Sequence, residues 1–365
     1  MSQHASRPQP RPEILQIDAY VPGKSTAAGA VRTIKLSSNE SPLGPSPKAA
    51  RACAEAAATL ALYPDAGAHA LKDAIAALHG LDPDLILCGN GSDELLGLIA
   101  QCFLRPGDEG LYSQFGFQSY PIAIRAAGAI PIAAPERDWS ADIDALLARV
   151  GEKTRVVFLA NPNNPTGALL TRGELRRLHG GLPRDTLLLI DAAYAEYVAD
   201  EGYEPGAELV ERHDNVVMTR TFSKAYGLAG ARLGWLYAKP YVIDALNRIR
   251  CPFNVNALAQ AAGVAALADP EHLAAAQAHN ARWLPWLRRQ ILDLGLEAPP
   301  SHGNFLLIRF RDALQAKNAD AALTASGYVL RGLDGYGLPD CLRVTVGDEE
   351  ANAGVIAALR QFLAA

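Results

Sequence analysis

The sequence predicts an α/β fold, with a large domain built on a mostly parallel sheet flanked by helices and a smaller α+β domain after it. Between residues 68 and 238, short apolar runs alternate with longer helical patterns. This alternation is typical of a mostly parallel sheet covered by helices on both faces. From Lys239 onward, three helical stretches precede three strand-like runs, and this change of pattern indicates the second domain.

The predicted elements follow one another regularly along the chain. In the large domain, strands are expected at Leu85–Cys88, Gly110–Tyr112, Ile130–Ala133, Arg155–Ala160, Thr186–Ile190 and Val216–Thr219, with helices near 68–79, 92–104, 118–127, 140–149 and 171–179. In the smaller domain, helices are expected near 240–250, 256–268 and 271–294, with strands at Asn304–Phe310, Tyr328–Arg331 and Leu342–Val346. We therefore divide the chain into an N-terminal arm (1–45), a large domain (46–250) and a small C-terminal domain (251–365).

Composition and charge exclude several classes of function. The chain of 365 residues has a net charge of -5, which argues against nucleic acid as a partner because a phosphate backbone favours a basic surface. No apolar run approaches the roughly 18 residues needed to cross a bilayer, so no membrane partner is expected. The first 12 residues contain three prolines and no apolar core, which is unlike a signal peptide. We expect them to form a loose tail.

The cysteines and histidines indicate a cytoplasmic protein without a metal site. The five cysteines are odd in number and lack CxxC spacing, a pattern typical of a reducing compartment. The eight histidines show no HxH or HExxH spacing, so ligands for a structural metal are not evident.

Four polar motifs each follow an apolar run directly, where the carboxyl ends of parallel strands form the ligand-binding edge of a sheet. The first is the segment 88–94, Cys-Gly-Asn-Gly-Ser-Asp-Glu. Its glycines allow the backbone to approach a ligand closely, and the helix that follows presents free amides to an anion. Glu94 stands where GxGxxG has its third glycine, so no dinucleotide motif is present. An ordinary turn capped by Ser92 or Asp93 is the alternative interpretation.

The second motif is the segment 161–167, Asn-Pro-Asn-Asn-Pro-Thr-Gly. A loop so rich in these residues is a fixed turn. It is either a turn alone or a rigid support that aims an asparagine side chain.

The third motif is Asp191, at the end of the run Thr186–Ile190, with Tyr194 three residues later. A carboxylate after four aliphatic residues lies at the end of a buried strand, and a buried charge needs a partner. A helix cap or a structural ion pair is the alternative.

The fourth motif is the segment 221–234, Thr-Phe-Ser-Lys-Ala-Tyr-Gly-Leu-Ala-Gly-Ala-Arg-Leu-Gly. Lys224 lies among small and apolar residues, and desolvation helps an amine to lose the proton that prevents attack on a carbonyl. Ser223 and Arg232 add a hydroxyl and a guanidinium suited to a phosphate. The four motifs together fit one cofactor, a phosphorylated pyridine aldehyde.

At these residues the sequence resembles the fold-type I aminotransferases, in the subfamily of histidinol-phosphate aminotransferases. The resemblance extends from about Asp18 to the C-terminus. It is carried by Ser37–Pro45, Tyr63–Asp65, Gly89–Glu94, Asn161–Gly167, Ser223–Gly234 and Leu342–Gly347.

The resemblance implies pyridoxal 5'-phosphate as the cofactor and assigns residues to it. The implied cofactor-binding residues are Gly91, Ser92, Asp93, Phe117, Asn164, Asp191, Tyr194, Ser223, Lys224, Arg232 and Tyr63. Among these, Lys224 is expected to carry the cofactor as a Schiff base and to move the substrate's proton. Asp191 is expected to pair with the ring nitrogen, and Asn164 and Tyr194 with the phenolic oxygen. Lys224, Asp191 and Tyr194 are the implied catalytic residues.

Further residues are implied to hold the phosphate and to stack on the ring. The amides of Gly91 and Ser92, with Ser223 and Arg232, are expected to bind the cofactor phosphate. The ring-stacking position falls on Phe117, or on Phe115 if the local alignment shifts by two residues.

The resemblance also implies a substrate pocket and a homodimer. The implied substrate-binding residues are Tyr20, Asn39, Asn164, Arg331 and Arg343. Arg343 matches the arginine that binds a substrate carboxylate, and Arg331 and Tyr20 match positions in the distal pocket. Tyr63 is expected to reach the phosphate of the neighbouring subunit's cofactor, and the arm is expected to pack against the small domain and the partner subunit.

The implied reaction moves an amino group between histidinol phosphate and 2-oxoglutarate in a ping-pong mechanism, as in histidine biosynthesis. Two alternatives share the fold: an aromatic amino-acid aminotransferase and a decarboxylase of a phosphorylated amino acid. A third, from a different class, is a non-enzymatic binding module built on a degenerate aminotransferase fold. The sequence alone does not choose between histidinol phosphate and aromatic amino acids as the donor.

Overall fold

The structure is a computed structural model that describes residues 8–19, 22–27 and 32–365. The strands of these residues are β1 (Ile34–Lys35), β2 (Ile86–Gly89), β3 (Glu109–Ser113), β4 (Ile130–Ala134), β5 (Glu136–Arg137), β6 (Ser140–Ala141), β7 (Thr154–Ala160), β8 (Leu187–Asp191), β9 (Val216–Thr221), β10 (Gly234–Ala238), β11 (Phe305–Arg309), β12 (Tyr328–Val329), β13 (Arg331–Gly332) and β14 (Cys341–Thr345). Their α-helices are α1 (Pro12–Leu15), α2 (Pro47–Ala56), α3 (His69–His79), α4 (Ser92–Phe103), α5 (Ser119–Ala126), α6 (Ile143–Leu147), α7 (Arg172–Gly180), α8 (Ala207–Arg212), α9 (Pro240–Ile249), α10 (Ala257–Leu267), α11 (Pro270–Asp293), α12 (Ala313–Ala325) and α13 (Glu349–Ala364).

A seven-stranded sheet forms the centre of the large domain, in the order β2-β10-β9-β8-β7-β3-β4. The pairs from β9 to β4 are parallel, and β10 runs antiparallel to both of its neighbours. The predicted fold class, a mostly parallel sheet flanked by helices, is confirmed. Strand β10 was not predicted, because it begins within the lysine motif and its apolar residues follow that motif without a break.

Strand β8 shows why the central strands are continuous apolar runs. Leu188 and Ile190 pack into the core on one face of the sheet, whereas Leu187 and Leu189 pack into the core on the other face. This follows from the two-residue repeat of a strand that is covered on both faces. The strand ends at Asp191, so that carboxylate lies at the sheet edge where the other polar motifs also end.

Helix α10 belongs to the core of the large sheet. Ala259, Ala262 and Ala266 are buried in the same cluster as Leu71 of α3, and α10 also packs along α2. This packing favours a domain boundary after Leu267 rather than at residue 250, and we propose the later boundary.

The small domain is built on the antiparallel sheet β11-β14-β13, with α11, α12 and α13 packed on it. The predicted strand Tyr328–Arg331 is divided in two at Leu330. Strand β12 pairs with β1 of the arm, whereas β13 pairs with β14. The two halves belong to different sheets, which a local apolar pattern does not reveal.

A short hairpin replaces the first part of the helix expected near 140–149. Strands β5 and β6 pair through Glu136 with Ala141 and Arg137 with Ser140. Asp142 then caps α6 by accepting from two backbone N–H groups, as expected of an aspartate before a helix. The helix is therefore limited to Ile143–Leu147. Within the described ranges, no helix is long and apolar enough to cross a membrane.

Candidate active site

The polar ends of the central strands surround one cavity, called here the central cavity, of about 360 Å³. This volume is in the range of sites that hold a cofactor or a small ligand. Its lining residues are Lys35, Ser38, Glu40, Ser92, Asp93, Phe117, Ala160, Pro162, Asn164, Asp191, Ala193, Tyr194, Thr221, Ser223, Lys224, Ala229, Gly230 and Arg232. Residues from all four sequence motifs thus meet in one place.

One end of the central cavity is suited to an anion. Ser92 is the first residue of α4, and Gly91 before it has a φ of 82°, a conformation that favours glycine. A Cβ on Gly91 would lie 2.5 Å from Arg232 Nη2, so glycine also makes room for that guanidinium. Ser223 lines the same cavity, and its hydroxyl accepts from Thr221 Oγ1 at 3.0 Å. A helix start, two hydroxyls and a guanidinium together form an anion cradle.

Asp191 is buried at the end of β8, and none of its hydrogen bonds within the described part of the chain comes from a cationic side chain. Its carboxylate accepts from the Tyr120 hydroxyl at 3.0 Å and from the Thr219 hydroxyl at 3.2 Å. Burial raises the pKa of Asp191 to about 6, although these two hydrogen bonds oppose the shift. A carboxylate in this environment would be stabilised by a positive charge brought into the cavity.

Lys224 is poised for nucleophilic attack. Its Nζ donates to the carbonyl of Ser38 at 3.0 Å and lies 5.8 Å from the ring centroid of Tyr194. Burial, and after it the nearby Arg343, lower the pKa of the Lys224 amine to about 8. Near neutral pH a larger fraction of this amine is therefore neutral and nucleophilic than for an exposed lysine.

Asn164 and Tyr194 are held by residues from the arm and the small domain. Arg343 donates from Nη1 to Asn164 Oδ1 and from Nη2 to the carbonyl of Ser37 at 2.8 Å. Asn39 donates from Nδ2 to the Tyr194 hydroxyl at 2.8 Å. The predicted substrate residues Asn39 and Arg343 therefore lie directly behind two predicted cofactor contacts.

Arg331 and Arg343 lie opposite each other in the register of β13 and β14. Both side chains are largely buried. Nη2 of Arg331 donates to Gln118 Oε1 at 3.2 Å, and Arg331 lines a second cavity together with Gln118 and Asp18. Neither arginine lines the central cavity itself: Arg343 contacts Asn164 in its lining, whereas Arg331 lines the second cavity.

The structure favours Phe117 over Phe115 for the ring-stacking position. Phe117 lines the central cavity, whereas Phe115 packs against Trp139 with 6.2 Å between the ring centroids. Tyr63 is outside the cavity, 82% exposed, with its ring stacked on Phe253 at 4.5 Å. Tyr20 lies outside the described residues.

Sequence reasoning missed Tyr120 and Thr221 as residues of this site. Tyr120 follows the stacking position by three residues, but its hydrogen bond to Asp191 spans 71 positions. Thr221 is adjacent to the lysine motif and lines the cavity. The pattern Thr-x-Ser-Lys carried the signal for Thr221, whereas no local signal identifies Tyr120.

The groups around the central cavity match the groups of pyridoxal phosphate, the cofactor that the sequence predicts. The anion cradle fits its phosphate, the buried Asp191 fits a protonated ring nitrogen, and Asn164 and Tyr194 offer hydrogen-bonding groups for a phenolic oxygen. Lys224 fits its aldehyde.

Comparisons with known proteins agree with this geometry. The family model for aminotransferase class I and II matches residues 31–359. A histidinol-phosphate aminotransferase of Paramagnetospirillum magneticum is 52% identical over 360 residues, covering 98% of this chain and 99% of that protein. The enzyme of the same name from Nitrobacter hamburgensis is 50% identical over 362 residues, with 98% and 99% covered. Among solved structures, histidinol-phosphate aminotransferase from Sinorhizobium meliloti in complex with pyridoxal-5'-phosphate is similar, with a TM-score of 0.90, 30% identity and 99% of each chain covered.

Proposed function

Because this chain belongs to the family of class I and II aminotransferases, we propose that it transfers the amino group of histidinol phosphate to 2-oxoglutarate, with pyridoxal phosphate as its cofactor. One observation carries the proposal: Lys224, Asp191 and the side chains of the anion cradle line a single cavity, and Arg343 donates to Asn164 in the lining of that cavity. The relatives named above support histidinol phosphate as the donor. The reaction is that of histidine biosynthesis.

The chain's own residues have separate tasks in this reaction. When bound, pyridoxal phosphate supplies an electron sink for the charge that develops at the substrate's Cα. Lys224 would hold the aldehyde carbon of the cofactor through Nζ, and its free amine would take the proton from the substrate's Cα. Asp191 keeps the ring nitrogen protonated, because a buried carboxylate favours a cation beside it. The anion cradle holds the phosphate and so fixes the ring in place.

Two arginines suit the change of substrate between the half-reactions. Histidinol phosphate has a phosphate and no carboxylate, whereas glutamate has two carboxylates. One pocket must therefore accept either kind of oxyanion. The planar guanidinium groups of Arg331 and Arg343 can each bind a phosphate or a carboxylate through two hydrogen bonds.

Arg331→Ala is expected to raise KM for histidinol phosphate about tenfold or more. A charge-assisted hydrogen bond contributes about 1.5–3 kcal/mol, and about 1.4 kcal/mol corresponds to a factor of ten. Phenylalanine, which has no distal anion, should be affected much less. Steady-state kinetics with both donors, in an assay coupled to 2-oxoglutarate, measures the difference.

The control for Arg331→Ala is Arg311→Ala, which removes an exposed arginine that pairs with the adjacent Asp312. It should leave both donors unchanged. If Arg331→Ala weakens both donors equally, or if the parent prefers phenylalanine, the chain is an aromatic aminotransferase. Release of CO₂ without amino transfer would instead indicate a decarboxylase, and a purified protein without visible absorption would indicate a binding module.

We also propose that the active unit is a homodimer. Leu60, Leu62 and Tyr63 are 63%, 72% and 82% exposed, and neighbouring large apolar side chains on a surface are typical of an interface. Tyr63 would reach the cofactor phosphate of the partner subunit from this surface. Sedimentation equilibrium at micromolar concentration should give the mass of two chains. A fully active single chain would contradict the proposal.

A cytoplasmic location is part of the same proposal. All five cysteines are free, and Cys88 and Cys341 are buried. Free cysteines are typical of proteins in a reducing compartment.

A further inference from the structure

Glu136 lies at the start of the β5–β6 hairpin, against two loops that reach the central cavity. Its Oε1 accepts from the backbone N–H of Phe115 at 3.2 Å and from Nδ2 of Asn163 at 3.3 Å. The two N–H groups of this Nδ2 are shared with the backbone carbonyl of Phe115 at 3.3 Å and with Thr166 Oγ1 at 3.0 Å. One carboxylate oxygen therefore joins a loop that follows β3 to a turn that follows β7.

Each of these two segments continues into a side chain that lines the central cavity. Phe117 follows Phe115 by two residues, and Asn164 directly follows Asn163. Phe117 is the residue expected to stack on the cofactor ring, and Asn164 is expected to bind its phenolic oxygen. A change in the position of Glu136 would therefore move two cofactor contacts together.

The tip of the same hairpin contacts residues of the small domain. Trp139 donates from Nε1 to Glu297 Oε1 at 2.9 Å. The guanidinium of Arg309, on β11, lies 5.6 Å from the centroid of the Trp139 ring. The hairpin is thus held by the small domain at its tip and by the two loops at Glu136, and this arrangement restricts where the carboxylate can lie.

Packing alone does not explain a carboxylate at this position. Glu136 Oε2 and Asn163 Oδ1 are shielded from solvent and make no hydrogen bond of ordinary geometry among the described residues, although the Ser113 hydroxyl lies close enough to the Glu136 carboxyl to oppose the rise of its pKa. Burial raises the pKa of Glu136 to about 7, and an apolar side chain would avoid the cost of desolvation. What the carboxylate adds is an acceptor that two donors from different loops can share.

We propose that Glu136 is a positioning residue for the cofactor. Through one shared acceptor atom, it fixes the position of the Phe115–Phe117 loop relative to the Asn163–Asn164 turn. The proposal rests on the proposed function, because it concerns the pyridoxal phosphate site. Glu136 acts through Phe117 and Asn164 and does not itself line the central cavity.

The test compares Glu136→Ala with Glu136→Gln. Apo-protein of each variant is titrated with pyridoxal phosphate to obtain its dissociation constant, and the visible circular dichroism per bound cofactor reports how the ring is held. The alanine variant loses two hydrogen bonds to Oε1, so we expect about tenfold weaker binding and a reduced dichroism band. Glutamine retains Oε1 as an acceptor and should restore both quantities to within about twofold.

Glu204 provides a matched control. It is a buried glutamate whose Oε1 accepts from the backbone N–H groups of Gly206 at 2.8 Å and Glu208 at 3.0 Å, and its Oε2 also has no hydrogen-bond partner among the residues described. These contacts lie at the start of α8, away from the central cavity. Glu204→Ala should lower the melting temperature of the apo-protein yet leave the dissociation constant and the dichroism band unchanged.

The outcomes separate the two proposals. Equal effects of Glu136→Ala and Glu204→Ala on cofactor affinity and dichroism, or a glutamine variant as defective as alanine, would overturn the role of Glu136. If the alanine variant does not fold, Glu136→Leu fills the same space without an acceptor and replaces it in the comparison. A parent protein that does not bind pyridoxal phosphate would overturn the proposed function together with this inference.

Discussion

Replacing Lys224 by alanine is expected to abolish transamination, with a loss of at least about a thousandfold. In the proposed function the amine of Lys224 would both hold the cofactor aldehyde and act as the base that moves the Cα proton, so the variant would lose two functions at once. No other described amine takes its place without rearrangement, since Lys35, which also lines the cavity, pairs with Glu40 at 2.7 Å. The measurement is turnover of histidinol phosphate with 2-oxoglutarate.

The fold of the Lys224→Ala variant should be intact. The side chain makes one hydrogen bond, to the carbonyl of Ser38, and its depressed pKa means that burial of the charged form is unfavourable. The control is Lys239→Ala, which removes a lysine that donates to the carbonyl of Glu211 at the surface; it should retain full activity. Residual turnover within about tenfold of the parent, or a borohydride-fixed adduct on another lysine such as Lys35, would show that Lys224 is not the cofactor lysine.

Asp191→Ala is expected to slow the proton transfer at Cα by several hundredfold or more. An opposite charge about 4 Å away, at an effective dielectric near 20, contributes about 4 kcal/mol. At about 1.4 kcal/mol for each pKa unit, this keeps the pyridine nitrogen protonated about three units higher than it would be otherwise. Substrate binding should change far less, because the lost interaction acts mainly in the transition state. Single-turnover rates at saturating donor measure the effect.

Two further variants separate the effect of the Asp191 charge from the effect of its hydrogen bond with Tyr120. Asp191→Asn retains an acceptor for the Tyr120 hydroxyl but removes the charge, so it should be nearly as slow as Asp191→Ala. Tyr120→Phe removes one hydrogen bond to Asp191 and leaves the charge, so it should cost no more than about tenfold. If the single-turnover rates of both Asp191 variants remain close to that of the parent, Asp191 is a structural carboxylate.

The stability of the apo-protein gives an independent check with a definite sign. The pKa of Asp191 in the folded chain is raised to about 6 by burial, so folding favours its protonated form, and its ionisation costs stability as the pH rises through the interval from about 4 to about 6. At pH 7 the ionised Asp191 carboxylate therefore lowers the free energy of unfolding of the apo-protein. Asp191→Asn should therefore melt no lower than the parent, although it is almost inactive.

Much of the large domain could be predicted because its signals are local. An apolar run that ends in a polar residue, as at Asp191, indicates a buried strand and the edge where it stops. The glycines before α4 likewise indicate a backbone segment that approaches a ligand closely. The small residues around Lys224 indicate that its amine is desolvated. Together with the family resemblance, these patterns predicted nine of the eighteen residues that line the central cavity.

Other features depend on which distant segments are brought together. Strand β10 enters the sheet antiparallel between β2 and β9, and helix α10 packs with the large domain although the chain has already passed the predicted boundary. The position of each of these two elements depends on how the other strands and helices pack. A periodic pattern reports the buried face of an element but not the partner that covers it.

The sequence by itself indicated the expected chemistry of this protein, namely the lysine, the strand-end carboxylate and the anion-binding turn, together with most of the strands and helices around them. Only the tertiary structure decided how these groups are supported. The bond from Tyr120 to Asp191 spans 71 residues, that from Arg343 to Asn164 spans 179, and that from Asn163 to Glu136 spans 27. The reason is physical, because hydrophobic periodicity is repeated every few residues and can be seen locally, whereas a hydrogen bond between two loops exists only after strand register and helix packing have placed both loops at the same edge of the sheet.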